Sequence, residues 1–472
     1  MDELSTRLDD LRDQGLYRRL RMVSGPQGPR VVLDGTPVLL LCSNNYLGLS
    51  DHPRIREAAA DAAMRWGVGS GGSRLVSGSM TIHRRLEERL ATFKRTEASI
   101  LFGSGYLANV GVLQALGSET SMIFSDELNH ASIIDGCRAS KAPTFVYRHG
   151  DLDHLEWALR TQVPQGATGK PLIVTDSVFS MDGDVAPLEG IVSLARRFGA
   201  RTVVDEAHGT GCVGPGGRGA VAAAGLEREI DVIIGTLGKA LGSYGAFAAG
   251  SLELTRYLVN ASRPLIFSTA PAPPVVAGAL AALELLESGP ERVERLQQNA
   301  AVLHAALVDE GMALTTGPSH ILPIVVGDAT TAMTLCERLL ERRVFAQAIR
   351  PPTVPEGTSR LRITVSASHT PQELRRAAQA IAEVSRELGL PVGSGPARPS
   401  ITKSDDSFGE WTAAPSKSRV SARPQDGVAP TSAPAPAATR ATQPTGSAFF
   451  DVEQVDPSLV RASRGSGLGV RF

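Results

Sequence analysis

Between about residues 45 and 270 the chain keeps repeating one pattern: a short β-branched apolar run, a turn, then a helical stretch. Examples are the runs at 171–175 (PLIVT), 201–204 (RTVV) and 231–234 (DVII). None of them alternates apolar with polar residues, so each strand needs cover on both faces. Apolar strands of this kind, separated by helices, predict a mostly parallel sheet between helical layers, and hence an α/β domain.

At 472 residues the chain is too long for one compact core. Composition and periodicity divide it into an N-terminal arm (1–44), a large domain (45–285), a smaller α+β domain (286–390) and a tail (391–472). In the arm, Leu4, Leu8, Leu11, Leu16 and Leu20 recur at helical spacing, and that apolar face could lie on its own subunit or on a neighbour. A long helical region over 275–310 bridges to the smaller domain, which is predicted to carry strands at 321–326 and 360–365 and a closing helix at 371–388. From 391 to 448 Pro, Ala, Ser, Thr and Gly dominate, a mixture that buries too little apolar surface to offset chain entropy, so a disordered tail is expected.

A formal net charge of -1 gives no electrostatic case for nucleic acid or an anionic membrane as partner. Cys42, Cys137, Cys212 and Cys336 are isolated and lack zinc spacing, so they read as reduced core thiols and no metal is expected. The first twenty residues lack an apolar signal region, and no apolar run reaches the ~20 residues of a membrane span. A cytoplasmic protein is expected.

Several strand ends carry chemistry. Lys239, in TLGK, follows the run ending near Ile234; a lysine there points into the crevice where α/β proteins bind ligands. Desolvation would lower its pKa and make it a nucleophile toward an aldehyde. Asp205 ends the run at 201–204, where an acid can pair with the pyridinium nitrogen of pyridoxal phosphate (PLP) and keep the ring an electron sink. His208 is close enough to reach the ring's phenolic oxygen. The turn at 103–106 (GSGY) precedes a helical stretch, and glycines at a helix start let backbone N–H groups approach a phosphate. His130 could lie flat on a planar ring, and Ser180 adds a hydroxyl near the same strand ends. Singly, each has a plainer reading, such as a surface lysine, a helix-capping aspartate, a structural histidine or an ordinary turn. Their joint occurrence in this order favours a PLP site.

Together with 42–49 (CSNNYLGL), 69–73 (GSGGS), 129–132 (NHAS), 178–184 (VFSMDGD), 204–211 (VDEAHGTG) and 236–239 (TLGK), these segments resemble the α-oxoamine synthase family of fold-type-I PLP enzymes. The match covers roughly residues 20–388. The resemblance implies that Lys239 carries PLP as a Schiff base and moves the α-proton, that Asp205 pairs with the ring nitrogen, and that His208 and Ser180 address the phenolic oxygen. It further implies that His130 stacks on the ring and that the backbone at Gly105 and Tyr106, with Thr236, holds the phosphate. Thr269 would reach the phosphate of a partner subunit, making a homodimer with shared sites. Asn44 and Arg362 would bind the amino-acid carboxylate, and Arg350 and Thr353 would also contact substrate.

Within the family, the stretch 349–355 (IRPPTVP) followed by 357–362 (GTSRLR) favours members that join L-alanine to a pimeloyl thioester, on CoA or acyl carrier protein. Sibling reactions using glycine and another acyl-CoA, an aminotransferase, and a non-catalytic protein acting through its tail are the rivals. Two features depart from the family pattern. Asp176-Ser177 stands where some relatives have Glu-Gly, and the tail has no counterpart.

Overall fold

The computed structural model describes residues 2–164 and 166–392, so the expected disordered tail lies almost wholly outside the described residues. A seven-stranded sheet has the spatial order Ala98–Phe102, Ala246–Gly250, Val232–Thr236, Arg201–Asp205, Leu172–Asp176, Ile123–Asp126, Thr144–Tyr147. Six of these strands run one way and Ala246–Gly250 runs against its two neighbours.

The non-alternating runs form the centre of this sheet for the reason their composition suggested. Neighbouring residues on a strand face opposite sides, yet Ile173 and Val174, Val203 and Val204, and Ile233 and Ile234 are all at most 1% exposed. Ile173, Val204 and Ile233 pack with Ile191 on one side, while Val174, Val203 and Ile234 pack with Val112 on the other. Each such side chain contributes about 1.5–3 kcal/mol by leaving water. The strands expected at 171–175, 201–204 and 231–234 are found with their ends moved by one or two residues: Leu172–Asp176, Arg201–Asp205 and Val232–Thr236.

The predicted helical bridge is two helices, Pro273–Ser288 and Glu291–Asp309. Beyond it, Ile321–Gly327, Ser359–Thr364 and Gln347–Ile349 form an antiparallel sheet, in which Arg362 lies opposite both Pro323 and Gln347. The closing helix, Pro371–Glu387, starts with a reciprocal cap: Thr370 Oγ1 accepts from Glu373 N while Glu373 Oε2 accepts from Thr370 N, and Pro371 takes the first helical position. At the other end of the chain, helix Asp2–Asp13 leaves Leu4 66% exposed and Leu8 and Leu11 half-exposed, so the arm's apolar face is uncovered within this chain. Among the described residues, no helix is long and apolar enough to cross a membrane.

Candidate active site

Parallel pairing aligns strand ends, and three adjacent strands each end in an aspartate: Asp126, Asp176 and Asp205. Asp176 and Asp205 are register partners. Asp205 is buried, with Oδ2 accepting from Asn109 Nδ2 at 2.6 Å and Oδ1 from Ala207 N at 2.7 Å. Burial first, and then the neighbouring Asp205 charge, push the Asp176 carboxyl well above its usual range.

Lys239 lies three residues past strand Val232–Thr236, with its Nζ 2.7 Å from His208 Nε2. Burial pulls its amine down to about 8, against Asp205 and Asp176, which pull it up. Tyr46 continues the contact from the far side of the imidazole. Its Oη donates to Asn44 Oδ1 at 2.9 Å, accepts from Arg362 Nη2 at 3.1 Å, and lies 2.7 Å from His208 Nδ1. With its own proton used on Asn44, Tyr46 accepts from His208 Nδ1–H, and His208 Nε2 accepts from Lys239. The network thereby assigns His208 its tautomer. Burial, reinforced by the Lys239 and Arg362 charges, holds His208 well below its usual pKa, so it is neutral.

Arg362 closes the cluster. Its Nη1 donates to Asn44 Oδ1 at 3.1 Å and its Nε to the Ser180 carbonyl. Arg360, two residues earlier on the same face, pairs with Asp182. These two arginines fasten the 179–184 loop, which bends at Gly183 (φ 74°), where a Cβ would lie 2.2 Å from the Ile321 carbonyl oxygen. Ser180 is thus engaged through its carbonyl.

His130 caps helix Ala131–Ala139. Its Nδ1 meets Ser132 Oγ at 2.7 Å, and its backbone N–H donates to Asp176 Oδ2 at 2.7 Å. Ser132 Oγ in turn accepts from Asn109 Nδ2 at 2.9 Å, so His130 and Asp205 are tied through one asparagine. Gly105 opens helix Gly105–Leu116, capped by Ser104, and a Cβ there would meet no heavy atom within 4 Å. Tyr106 turns its phenol to Asp135 at 2.7 Å. Thr236 donates its hydroxyl to the Gly245 carbonyl at 3.1 Å.

Three expected residues stand apart from the Lys239 cluster in the described contacts. Arg350 is buried against the N-terminal arm, donating to the Gly15 and Tyr17 carbonyls. With Thr353 it lines a cavity of about 740 Å³ bordered by Tyr17, Arg18, Cys42 and Ser43. Thr269 is exposed and bridged to Ser73.

The structure also brings in four residues to which sequence reading gave no role. Tyr46 sits two positions after Asn44, Asp176 ends a strand as Asp205 does, and Asn109 lies one helical turn past Gly105, so each had a local signal. His320 had none. It is buried edge-on to Tyr46, with ring centroids 4.7 Å apart, and burial pushes it down to about 3.

Residues 36–381 match the family model described as aminotransferase class I and II. An 8-amino-7-oxononanoate synthase of Geobacter sulfurreducens is 51% identical over 385 residues, covering 81% of this chain and 98% of that protein. One from Symbiobacterium thermophilum is 46% identical, covering 82% and 99%. A solved serine palmitoyltransferase from S. paucimobilis, bound to a PLP–myriocin adduct, superposes with a TM-score of 0.78 at 33% identity, covering 82% of this chain and 98% of that one.

Proposed function

Because the chain belongs to the class I and II aminotransferase family, and within it to the 8-amino-7-oxononanoate synthases, we propose that it joins L-alanine to a pimeloyl thioester. The product is 8-amino-7-oxononanoate, released with carbon dioxide and free thiol. The observation that carries this reading is the buried Lys239 amine linked through His208 and Tyr46 to the Arg362–Asn44 pair. A carboxylate-binding fork and a proton-accepting amine are thereby held in one site.

The residues present fit PLP. Asp205 offers a buried carboxylate fixed by two donors, and the first turn of helix Gly105–Leu116 has open space beside Gly105 where backbone N–H groups and the helix dipole favour phosphate. Asn109 Oδ1 and Ser177 Oγ are buried without a partner among the described residues. When bound, PLP supplies an electron sink for charge developing at the amino acid's α-carbon.

In this reading Asp205 faces the ring nitrogen, His130 covers the ring, and His208 and Ser180 lie toward its phenolic oxygen. Gly105, Tyr106 and Thr236 serve the phosphate, joined by Thr269 from a neighbouring subunit of a homodimer. Arg362 and Asn44 receive the alanine carboxylate, a planar fork matching a planar anion. Lys239, whose amine burial pulls down to about 8, takes the α-proton and later returns one. Arg350 and Thr353 contact the acyl donor, on CoA or acyl carrier protein. The division at residues 44, 285 and 390 and a cytoplasmic location belong to the same proposal.

Purified protein is expected to absorb visible light and to bleach on borohydride reduction, with the added mass on the Lys239 peptide. Label on any other lysine would contradict the assignment.

A further inference from the structure

The roles proposed above leave Tyr46 unused. It is fully buried, and a phenylalanine would fill the same volume. What its hydroxyl adds is a junction: Oη touches Asn44 and Arg362 on one side and His208 on the other. His320 packs against this junction, with its ring at 80° to Tyr46.

The Arg362 guanidinium gives one N–H of Nη1 to Asn44 and one of Nη2 to Tyr46, the two end-on prongs of its fork. A carboxylate that seats on both prongs displaces these contacts, and Tyr46 Oη then loses the donor it shares with Arg362. The freed lone pair strengthens the bond from His208 Nδ1–H. A more electron-rich imidazole is a better acceptor at Nε2, the atom 2.7 Å from Lys239 Nζ. Other groups act on Lys239 from around the site: Asp176 and Asp205 from the strand ends, Arg362 from the smaller sheet, Cys212, and the imidazoles of His130, His208 and His320.

We propose that Tyr46 is a positioning residue that couples the carboxylate pocket to the lysine, so that seating a carboxylate on Arg362 and Asn44 makes Lys239 a stronger base. This rests on the proposed roles of Arg362 and Lys239. The amine is then kept reactive while the site is empty and becomes more basic once an α-proton is there to take.

The test reads Lys239 directly. The full-length chain freed of PLP is acetylated competitively across a pH series, and the Lys239 peptide is quantified by mass spectrometry. Propionate, which has a carboxylate and no amine, is the probe, used at concentrations that protect Arg362 from phenylglyoxal. Propionate is expected to move the Lys239 midpoint upward, and Tyr46→Phe, its folding checked by melting temperature, to lose most of that shift. A shift of full size in Tyr46→Phe would mean that the field of Arg362 acts through space alone, and would overturn the coupling. No shift in the unsubstituted chain would overturn it as well. Should Tyr46→Phe not fold, 3-fluorotyrosine at position 46 keeps the shape and weakens the acceptor, and an unchanged shift there is equally adverse. In the PLP-loaded enzyme Tyr46→Phe is expected to lower kcat about tenfold, the worth of one hydrogen bond, with a smaller change in KM for alanine. Failure of the cofactor assignment would show separately, as loss of borohydride fixation on Lys239.

Discussion

Asp176 and Asp205 are the same residue type at the same register on neighbouring strands, yet their surroundings separate them. Asp205 receives donors from Asn109 and Ala207, whereas Asp176, which accepts from the His130 N–H, is pushed up by burial and by Asp205 itself. A carboxyl whose charged form is disfavoured in this way loses little on becoming an amide. Asp176→Asn is therefore expected to keep PLP affinity within a few-fold, while Asp205→Asn, which removes the carboxylate proposed to pair with the ring nitrogen, is expected to lower turnover by at least roughly a hundredfold. Absorbance titration with PLP and steady-state rates read both effects; equal losses in the two variants would contradict this division of charge.

At the scale of elements, the 179–184 loop shows how the site is braced. His149 lies between Asp126 at 2.9 Å and Asp184 at 2.8 Å, joining a strand end to the loop that carries Ser180. Hydrogen bonds donated to Asp126 first, then to Asp184, raise its pKa to about 10. A histidine raised above its unfolded value of about 6.5 holds stability that is fully present below that value and is lost as pH climbs through about 10. Melting temperature should fall over this alkaline window, and in Asp184→Asn the fall should be smaller and end at lower pH. An identical profile in the variant would show that the clamp carries no stability.

What was legible in the sequence follows the same physics. The buried strands declared themselves because double burial demands an unbroken apolar run, and Lys239, Asp205 and His208 followed from standing just past such runs. Their ends were displaced by a residue or two because a polar residue can complete a ladder as easily as leave it. His320 was hidden because its contact is pairwise: a histidine before a strand reveals nothing until the fold sets it edge-on to Tyr46. Arg350 was read as a substrate contact from its segment, while its partners, the Gly15 and Tyr17 carbonyls, lie more than three hundred residues away in sequence.

At the scale of the whole molecule, large apolar side chains remain in water within this chain. Met64, Val68, Val76 and Phe267 are each at least 70% exposed, and the Ser73–Thr269 bridge brings their segments together. Patches of this kind mark association surfaces, and a twofold contact here would bring Thr269 to a neighbouring subunit. Val76→Asp is expected to shift sedimentation from dimer to monomer and to weaken PLP binding at the same time. A dimer unaffected by that charge would place the interface elsewhere.

The bond that this site makes is read from the mass of its product. The PLP-loaded enzyme is incubated with L-alanine or glycine and a panel of acyl thioesters, including pimeloyl-CoA and pimeloyl-acyl carrier protein. Alanine and a pimeloyl thioester are expected to give 8-amino-7-oxononanoate, with one carbon dioxide released per product. Condensation with glycine alone, or accumulation of the pyridoxamine form without a new carbon–carbon bond, would contradict it.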